Sequence, residues 1–327
     1  MRRALSLLIV LLLLGATALL GWRALDWEMD QPAPVSAPVR VQVAPGTSLR
    51  STLQTLQQQG ALRHARLVEL YLRVHGPAPR LQSGNYEVPP HSSAREVLDE
   101  IINGRVILEA LTVVEGWSFG QMRAALDAHP AVAHQLRELS EAQLMQALGH
   151  PGEAAEGRFF PDTYRFAAGT SDRRILERAY ERMQAELSGA WANRAADLPL
   201  ATPEEALILA SIVEKETGRE DERPKVAAVF VNRLRQGMRL QSDPTVIYGL
   251  GERYDGHIHT RDLETDTPYN SYTRIGLPPT PIALPGAAAL QATLHPAAID
   301  ALYFVATANG DGSHHFSATL AEHDLAL

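Results

Sequence analysis

The chain opens with an unbroken apolar run and then changes to mixed apolar and polar positions. Residues 4–22 carry no charge and follow Arg2 and Arg3, and about 20 apolar residues are what a membrane-spanning helix needs. The basic end of such a helix stays cytoplasmic, which places the rest of the chain outside. A cleaved signal peptide is the alternative, since Ala-Thr-Ala at 16–18 fits a cleavage site. The anchor is favoured because the apolar run continues past that site.

After this run, one local pattern recurs three times: a short strand, a turn, a serine and an amphipathic helix. The serines at the N-cap positions are Ser48, Ser93 and Ser118. The helices that follow them are predicted over residues 49–59, 94–102 and 119–128. The first two units, with a further helix over 63–75, predict a small α/β module over residues 39–107.

A nearly uniform apolar helix is predicted over residues 203–216. Thr202 is a favourable N-cap, Glu205 completes a capping box three residues later, and Pro203 suits the first helical position. Gly218 is the expected left-handed residue after the helix. Because almost no polar face remains between these ends, we expect the helix to be buried.

Two glutamates near the end of this helix differ in their surroundings. Glu216 shares a face with three large apolar side chains, whereas Glu214 shares its face with smaller and more polar ones. The negative end of the helix dipole and the apolar neighbours both raise the pKa of such a carboxyl, which suits a general acid. The alternative is that both carboxylates are solvated, pair with neighbouring basic residues and only end the helix.

The remaining pattern predicts a second part of the chain that is mostly helical. Residues 129–200 are predicted to be helical apart from an aromatic loop at 156–164, and a further helix runs from Pro224 to Gly237. A hairpin is predicted from two short strands, at 302–306 and 314–317, around an Asn-Gly-Asp-Gly turn. The sequence therefore predicts an α+β fold with short strands.

Composition excludes several classes of protein. The 327 residues contain no cysteine and carry a net charge of −8. The acidic balance argues against a nucleic-acid partner. The lack of cysteine excludes disulfides, thiol catalysis, cysteine-ligated zinc and a lipoprotein anchor. Length and hydrophobic content allow about two ordinary globular domains.

Two further chemistries fit the sequence less well. Gly-Trp-Ser-Phe-Gly around Ser118 has the spacing of a serine-hydrolase elbow, but the same serine pattern occurs twice upstream without the glycines, which favours an N-cap. The histidine pairs His257/His259 and His314/His315 are expected in loops, not at the helical spacing of a zinc site.

Polar residues in two loops are candidates for binding a substrate. Ser242 or Asp243, before Pro244, is either a helix N-cap or a group that hydrogen-bonds a substrate, with Asp243 as a possible second carboxylate. The proline-stiffened loop that follows suits a polymer with hydroxyl and amide groups, although its tyrosines could equally pack the loop onto the core. Its candidate residues are Tyr269, Asn270, Tyr272 and Thr273.

Long consecutive motifs carry a specific resemblance over nearly the whole chain. Ile-Val-Glu-Lys-Glu-Thr at 212–217, Asn-Arg-Leu at 232–234, the run at 240–249, and Gly-Leu-Pro-Pro at 276–279 resemble the YceG-like family. The motifs Glu-Gly-Trp-Ser at 115–118 and Pro-Asp-Thr-Tyr at 161–164 also match it.

The resemblance implies a function and a site. It implies an endolytic lytic transglycosylase that cleaves the MurNAc–GlcNAc β-1,4 bond within nascent peptidoglycan strands, leaves a 1,6-anhydro-MurNAc end and so terminates glycan elongation. Glu216 matches the family's catalytic glutamate, and no metal or organic cofactor is expected. The residues expected to bind the substrate are Asn232, Gln241, Asp243, Thr245, Tyr248, Tyr269, Asn270 and Thr273.

The resemblance also implies an organisation. We expect an anchor in the inner membrane over residues 1–24, a linker over 25–38, a LysM-like module over 39–107 and a catalytic domain over 108–327 in the periplasm, with peptidoglycan synthases as partners. Two other functions stay open at this point: a muramidase-type hydrolase that uses Glu216 with Asp243, and a peptidoglycan-binding protein without catalytic activity.

Overall fold

The computed structural model describes residues 2–44, 46–76, 79–307 and 309–327. Its fold is α+β, as the pattern predicts, with thirteen α-helices and four two-stranded sheets in the described residues. The chain divides into two compact units. One comprises residues 1–109 with 165–169, and the other comprises residues 110–164 with 170–327.

The N-terminal helix is longer than the apolar run. Helix α1 spans Arg2–Met29, and its stretch Leu5–Met29 is long and apolar enough to cross a membrane, a test that a signal sequence also passes. The prediction of an extended linker over 25–38 is therefore wrong for its first five residues. They stay helical because Met29 is buried in the core of the first unit and Glu28 accepts a hydrogen bond from His64 Nδ1 at 2.8 Å.

The rest of the first unit is an antiparallel pair of strands, separated in the sequence by two helices, together with three helices. Its elements are β1 (Val39–Val43), α2 (Leu49–Gln58), α3 (Ala65–His75), β2 (Gly84–Val88) and α4 (Ala94–Ile102). Strands β1 and β2 pair antiparallel with Val41 opposite Tyr86. Alternate residues of both strands are buried, as expected for a sheet with one face on the core.

The second unit contains the remaining helices and the rest of the strands. Its elements, two of which begin or end in the first unit, are β3 (Leu108–Thr112), α5 (Phe119–Ala128), β4 (Val132–Ala133), α6 (Glu141–Leu148), β5 (Thr163–Ala167), β6 (Thr170–Ser171), α7 (Asp172–Ala192), α8 (Pro203–Glu216), α9 (Arg223–Arg235), α10 (Asp243–Leu250), a 3-10 turn (Gly251–Arg253), α11 (Thr260–Glu264), α12 (Ala287–Leu294), β7 (Tyr303–Ala306), β8 (His314–Ser317) and α13 (Leu320–Asp324). Strand β3 pairs with β5, β4 with β6, and β7 with β8. The segment 129–200 is less helical than predicted, because short strands and turns separate α6 from α7.

The three serines predicted as N-caps all cap helices. The hydroxyls of Ser48, Ser93 and Ser118 each accept a hydrogen bond from the backbone N–H three residues later. Ser118 also has ordinary extended backbone angles, φ −79° and ψ 161°. A nucleophile elbow needs a strained turn at the serine, so the structure favours the capping role.

Helix α8 is the buried centre of the second unit. Residues 206–213 are all buried, and the helix packs against α7, α9 and α12. The Thr202 hydroxyl caps it as predicted, but the Glu205 carboxylate binds the N–H of Ala201 instead of completing the capping box. The prediction that Gly218 is left-handed is wrong. Thr217 is already extended and ends the helix, and its hydroxyl accepts a hydrogen bond from the N–H of Arg219.

The predicted hairpin near the end of the chain is confirmed. Strands β7 and β8 pair antiparallel, with Phe304 opposite Phe316. Phe304 packs edge-on against Phe230 of α9, with ring centroids 5.9 Å apart. This contact fixes the hairpin against the helix layer, close to where α8 ends.

Candidate active site

Glu216 is the last residue of α8 and lies in a cleft of about 510 Å³. The side chains around the cleft come from α8, α9, α10, the loops before and after α10, the β7 strand and α13. The polar side chains that line the cleft include Glu216, Arg233, Gln241, Asp243, Tyr272 and Tyr303. The buried helix thus delivers one carboxyl group from the core to the floor of an accessible cleft.

The surroundings of Glu216 favour its protonated form. Burial raises the pKa of its carboxyl from 4.5 to about 7, and the nearby Asp243 carboxylate acts in the same direction. The hydrogen bond from Ser242 and the electrostatic interactions with His314 and Arg233 oppose this rise. A carboxyl group with a pKa near 7 is present in both its acid and its base form at neutral pH.

Ser242 is the direct hydrogen-bond partner of Glu216. Its Oγ lies 2.5 Å from Glu216 Oε1. Ser242 is the N-cap residue of α10, yet its side chain makes no capping bond. It is 1% exposed, and its N–H donates to Ser271 Oγ at 2.9 Å. The hydroxyl of Ser271 in turn lies 2.8 Å from Thr245 Oγ1, so a buried hydroxyl network holds Ser242 in place.

Arg233 brings a buried positive charge to the same cleft. Its Nε donates to the Leu302 carbonyl at 2.6 Å, and its Nη1 donates to the Leu240 carbonyl at 2.8 Å and to Gln241 Oε1 at 3.0 Å. Its guanidinium lies 5.1 Å from the centre of the Tyr303 ring. Burial lowers the pKa of Arg233, and the Tyr303, Tyr272 and Glu216 side chains act against that shift.

Asp243 is a second carboxylate of the cleft, whose lining also includes Asp324 of α13. It accepts a hydrogen bond from the Tyr272 hydroxyl at 2.6 Å. Burial and this carboxylate both raise the pKa of Tyr272, which therefore remains a hydrogen-bond donor at neutral pH. Asp243 begins α10 directly after Ser242, so one helix end positions both the partner of Glu216 and the second carboxylate.

Glu214 has different surroundings. Its Oε2 accepts the N–H of Gly286 at 3.0 Å, and its Oε1 lies 3.9 Å from Arg223 Nη2. Burial raises the pKa of Glu214, with the Gly286 hydrogen bond and Arg223 opposing it. Glu214 is not among the residues that line the cleft. It fixes the start of α12 against the end of α8.

Six of the residues expected to bind substrate lie elsewhere and use their polar groups within the protein. Asn232 donates to the carbonyls of residues 299 and 301, Asn270 donates to three carbonyls of the 262–265 segment, and Thr245 belongs to the buried hydroxyl network. Tyr269 bonds Thr280, Thr273 bonds Asp266, and Tyr248 interacts with Glu156. Gln241 and Asp243 are the two of the eight that line the cleft with Glu216.

The sequence analysis did not single out Arg233, and it left Ser242 open as either a helix N-cap or a group that hydrogen-bonds a substrate. Arg233 stands in the Asn-Arg-Leu motif, and a charged residue on the apolar side of a predicted core helix was the available signal. The interaction of Ser242 with Glu216 joins residues 26 positions apart, so no local pattern reveals it. Burial also raises the pKa of Glu156 to about 7, although it accepts hydrogen bonds from Phe119 N and Gly157 N; Glu156 is not among the residues that line the cleft.

A carboxyl group with a raised pKa, near a second carboxylate in the same cleft, is typical of enzymes that cleave glycosidic bonds by acid catalysis. Comparison with known proteins agrees with this class. The model of the YceG-like family matches residues 41–327. The chain therefore belongs to the YceG-like family.

Curated and solved relatives cover almost all of the chain. The endolytic murein transglycosylase of Bacillus subtilis is 28% identical in an alignment of 336 positions, gaps included, that covers 96% of this chain and 90% of that protein. The endolytic murein transglycosylase of Streptococcus pneumoniae is 26% identical in an alignment of 356 positions, gaps included, that covers 98% of this chain but 63% of that longer protein. A crystal structure of a yceG-like protein from Listeria monocytogenes matches with a TM-score of 0.54 and 26% identity, over 89% of this chain and 99% of the other.

Proposed function

We propose that this protein is an endolytic peptidoglycan lytic transglycosylase. It cleaves the β-1,4 bond between MurNAc and GlcNAc within a glycan strand and leaves a 1,6-anhydro-MurNAc end. The observation that carries the proposal is the carboxyl of Glu216, which burial holds at a pKa of about 7 beside Ser242 in the cleft. The names of the two bacterial relatives support the same reaction.

The reaction needs one group that acts first as an acid and then as a base. Protonated Glu216 donates its proton to the glycosidic oxygen while the bond to C1 of MurNAc breaks and an oxocarbenium-like state forms. The resulting carboxylate then takes the proton from the C6 hydroxyl of the same sugar, whose oxygen attacks C1 and closes the anhydro ring. Glu216 ends protonated again, so the cycle consumes no water and no proton.

The hydrogen bond from Ser242 assigns different roles to the two oxygens of Glu216. Ser242 Oγ donates to Oε1, so the proton of the acid form resides on Oε2 and is free for the glycosidic oxygen. Without this bond the proton could occupy either oxygen. Ser242 is thus proposed to position the acid, and Arg233 and Tyr272 are proposed to hold the neighbouring groups that contact the sugars.

A muramidase-type hydrolase is the second candidate, and one observation favours it: Asp243 lies in the same cleft. A hydrolase uses a second carboxylate as nucleophile or to activate water. The Tyr272 hydroxyl donates to one oxygen of Asp243 at 2.6 Å and leaves the other oxygen available, so the two mechanisms are separated by their products. Mass analysis of digested peptidoglycan separates the two, because a lytic enzyme leaves anhydro ends and a hydrolase leaves reducing ends.

Replacing the acid tests the proposal directly. Glu216→Gln cannot donate a proton, and acid–base catalysis contributes about 100- to 10,000-fold per step, so we expect loss of glycan cleavage without loss of fold. Glu214→Gln is the matched control two positions away on the same helix, and it should keep more activity. Near-normal release of anhydro-muropeptides by Glu216→Gln, or a reversed ranking of the two variants, would contradict the assignment.

The proposal extends to the organisation of the chain. We propose that the apolar part of α1 anchors the protein in the cytoplasmic membrane with the remainder on the outer side, in the periplasm where one exists. Residues 39–107 would form a LysM-like module that binds glycan, and residues 108–327 would form the catalytic domain. Peptidoglycan synthases that extend the same strands are the proposed partners.

A further inference from the structure

The contact between Arg233 and Gln241 fixes the orientation of an amide in the cleft. A guanidinium group has hydrogen-bond donors and no acceptor. The Gln241 atom that lies 3.0 Å from Arg233 Nη1 must therefore be the carbonyl oxygen Oε1. It follows that the amide NH2 of Gln241 points away from Arg233, and within the described residues it has no hydrogen-bond partner.

The backbone holds this side chain in the cleft. Gln241 has φ +53°, a left-handed angle that is strained for a residue with a Cβ. Its N–H donates to the Ser271 carbonyl at 3.1 Å. The flanking residues Leu240 and Ser242 are each 1% exposed, whereas Gln241 is exposed and lines the cleft with Glu216. The backbone of Gln241 is thus strained and held by its N–H, and its side chain is held by Arg233 at Oε1. Strained residues of this kind cluster at ligand-binding sites.

We propose that the Gln241 amide donates a hydrogen bond to the carbonyl oxygen of a sugar N-acetyl group bound beside Glu216, and so selects N-acetylated over de-N-acetylated glycan. This inference rests on the proposed function. It adds a specificity-determining residue and names the part of the substrate that the residue recognises.

The hydrogen-bonding groups of the two kinds of glycan explain why Gln241 would select the N-acetylated one. An N-acetyl carbonyl only accepts hydrogen bonds, so it complements an amide that can only donate from its free side. A sugar hydroxyl can donate or accept and would give little discrimination. De-N-acetylation replaces the carbonyl by an ammonium group, which cannot accept the hydrogen bond and which would lie near the positively charged Arg233.

The experiment uses the full-length protein and partially de-N-acetylated peptidoglycan as a single substrate. Mass spectrometry of the products gives the fraction of cleavage events flanked by an N-acetylated sugar and by a glucosamine-type sugar, in competition. The variants are Gln241→Ala, which removes the donor, and Gln241→Glu, which keeps the shape but can only accept. Gln236→Ala, a glutamine at the end of α9, is the control.

The two variants should shift the preference by different amounts. A neutral hydrogen bond corresponds to about a two- to twelvefold change in relative rate, so Gln241→Ala should lower the preference for N-acetylated sites by that factor. Gln241→Glu should lower it further or reverse it, because its carboxylate attracts an ammonium group. Gln236→Ala should leave the ratio at the wild-type value.

The outcomes separate this inference from the proposed function. If both Gln241 variants cleave with the wild-type ratio, or lose rate equally at both kinds of site, the inference is wrong while anhydro products still support the proposed function. If the wild-type protein forms no anhydro ends and Glu216→Gln cleaves as well as wild type, the proposed function itself fails.

Discussion

Removing the hydroxyl of Ser242 should move the pH dependence of cleavage in a defined direction. Ser242 Oγ donates to Glu216 Oε1 at 2.5 Å and so stabilises the ionised carboxylate. The same bond lowers the pKa of Glu216 against the effect of burial. In Ser242→Ala the pKa of Glu216 should therefore rise above its wild-type value of about 7.

The size of the shift follows from the kind of hydrogen bond. Bonds to a charged group contribute about 1.5–3 kcal/mol, and one pKa unit corresponds to about 1.4 kcal/mol. The loss of this bond should raise the pKa by about one to two units. Because the free enzyme must carry protonated Glu216, kcat/KM falls as the pH rises through this pKa. The basic limb of the profile should move to higher pH by the same amount.

The assay is release of anhydro-muropeptides from purified glycan strands between about pH 5 and 9. The matched control is Ser211→Ala on α8, the helix that carries Glu216. Ser211 is also fully buried, donates to the Ile208 carbonyl and accepts the N–H of Ile282, and it makes no contact with Glu216. Ser211→Ala should lower the stability of the protein without moving the basic limb of the pH profile of kcat/KM. A basic limb at the wild-type pH in Ser242→Ala, or an equal shift in both variants, would refute the reasoning.

The other predictions concern stability and the anchor. The pKa of Glu216 is raised from 4.5 to about 7 in the folded protein, so ionisation of this carboxyl destabilises the fold as the pH rises between these values. At pH 8, Glu216→Gln should therefore have a free energy of unfolding up to about 3 kcal/mol above that of the wild type and a higher melting temperature. At pH 4.5 the variant and the wild type should melt at the same temperature. Equal melting at both pH values would contradict the burial of this carboxyl. Ser118→Ala should lower the free energy of unfolding by about 1 kcal/mol, because an N-cap is lost, and it should keep cleavage activity. Loss of activity without a change in melting temperature would instead support Ser118 as a catalytic nucleophile. The protein should stay in the membrane pellet after carbonate washing, whereas a soluble protein that begins at Leu19 would show cleavage after residue 18.

The elements that sequence predicted well are those whose signals are local. The N-caps at Ser48, Ser93 and Ser118 and the cap of α8 at Thr202 each involve groups three residues apart. The hairpin of β7 and β8 is equally local. Glu216 was a candidate because helical periodicity alone puts it on a face of large apolar residues.

What sequence could not predict depends on contacts between distant segments. Asn270 and Thr245 are polar residues in a loop region and in the helix beside it, as a ligand site would have, but their side chains bond the protein's own backbone and hydroxyls. A sequence does not distinguish these uses of a polar group. The end of the α1 helix was misjudged for the same reason, since burial of Met29 in the core of the first unit extends the helix beyond the apolar run.

The position of Arg233 explains how a buried guanidinium and a protonated carboxyl can share one cleft. A direct ion pair between Arg233 and Glu216 would lower the carboxyl pKa by one to three units, and the acid would be ionised at neutral pH. The donors of Arg233 are instead directed to the carbonyls of Leu240 and Leu302 and to Gln241 Oε1. Its charge reaches Glu216 only as a weaker, longer-range effect. The carbonyls of Leu240 and Leu302 and the side chain of Gln241 thus hold the Arg233 guanidinium away from a direct ion pair, and Glu216 can act both as an acid and as a base.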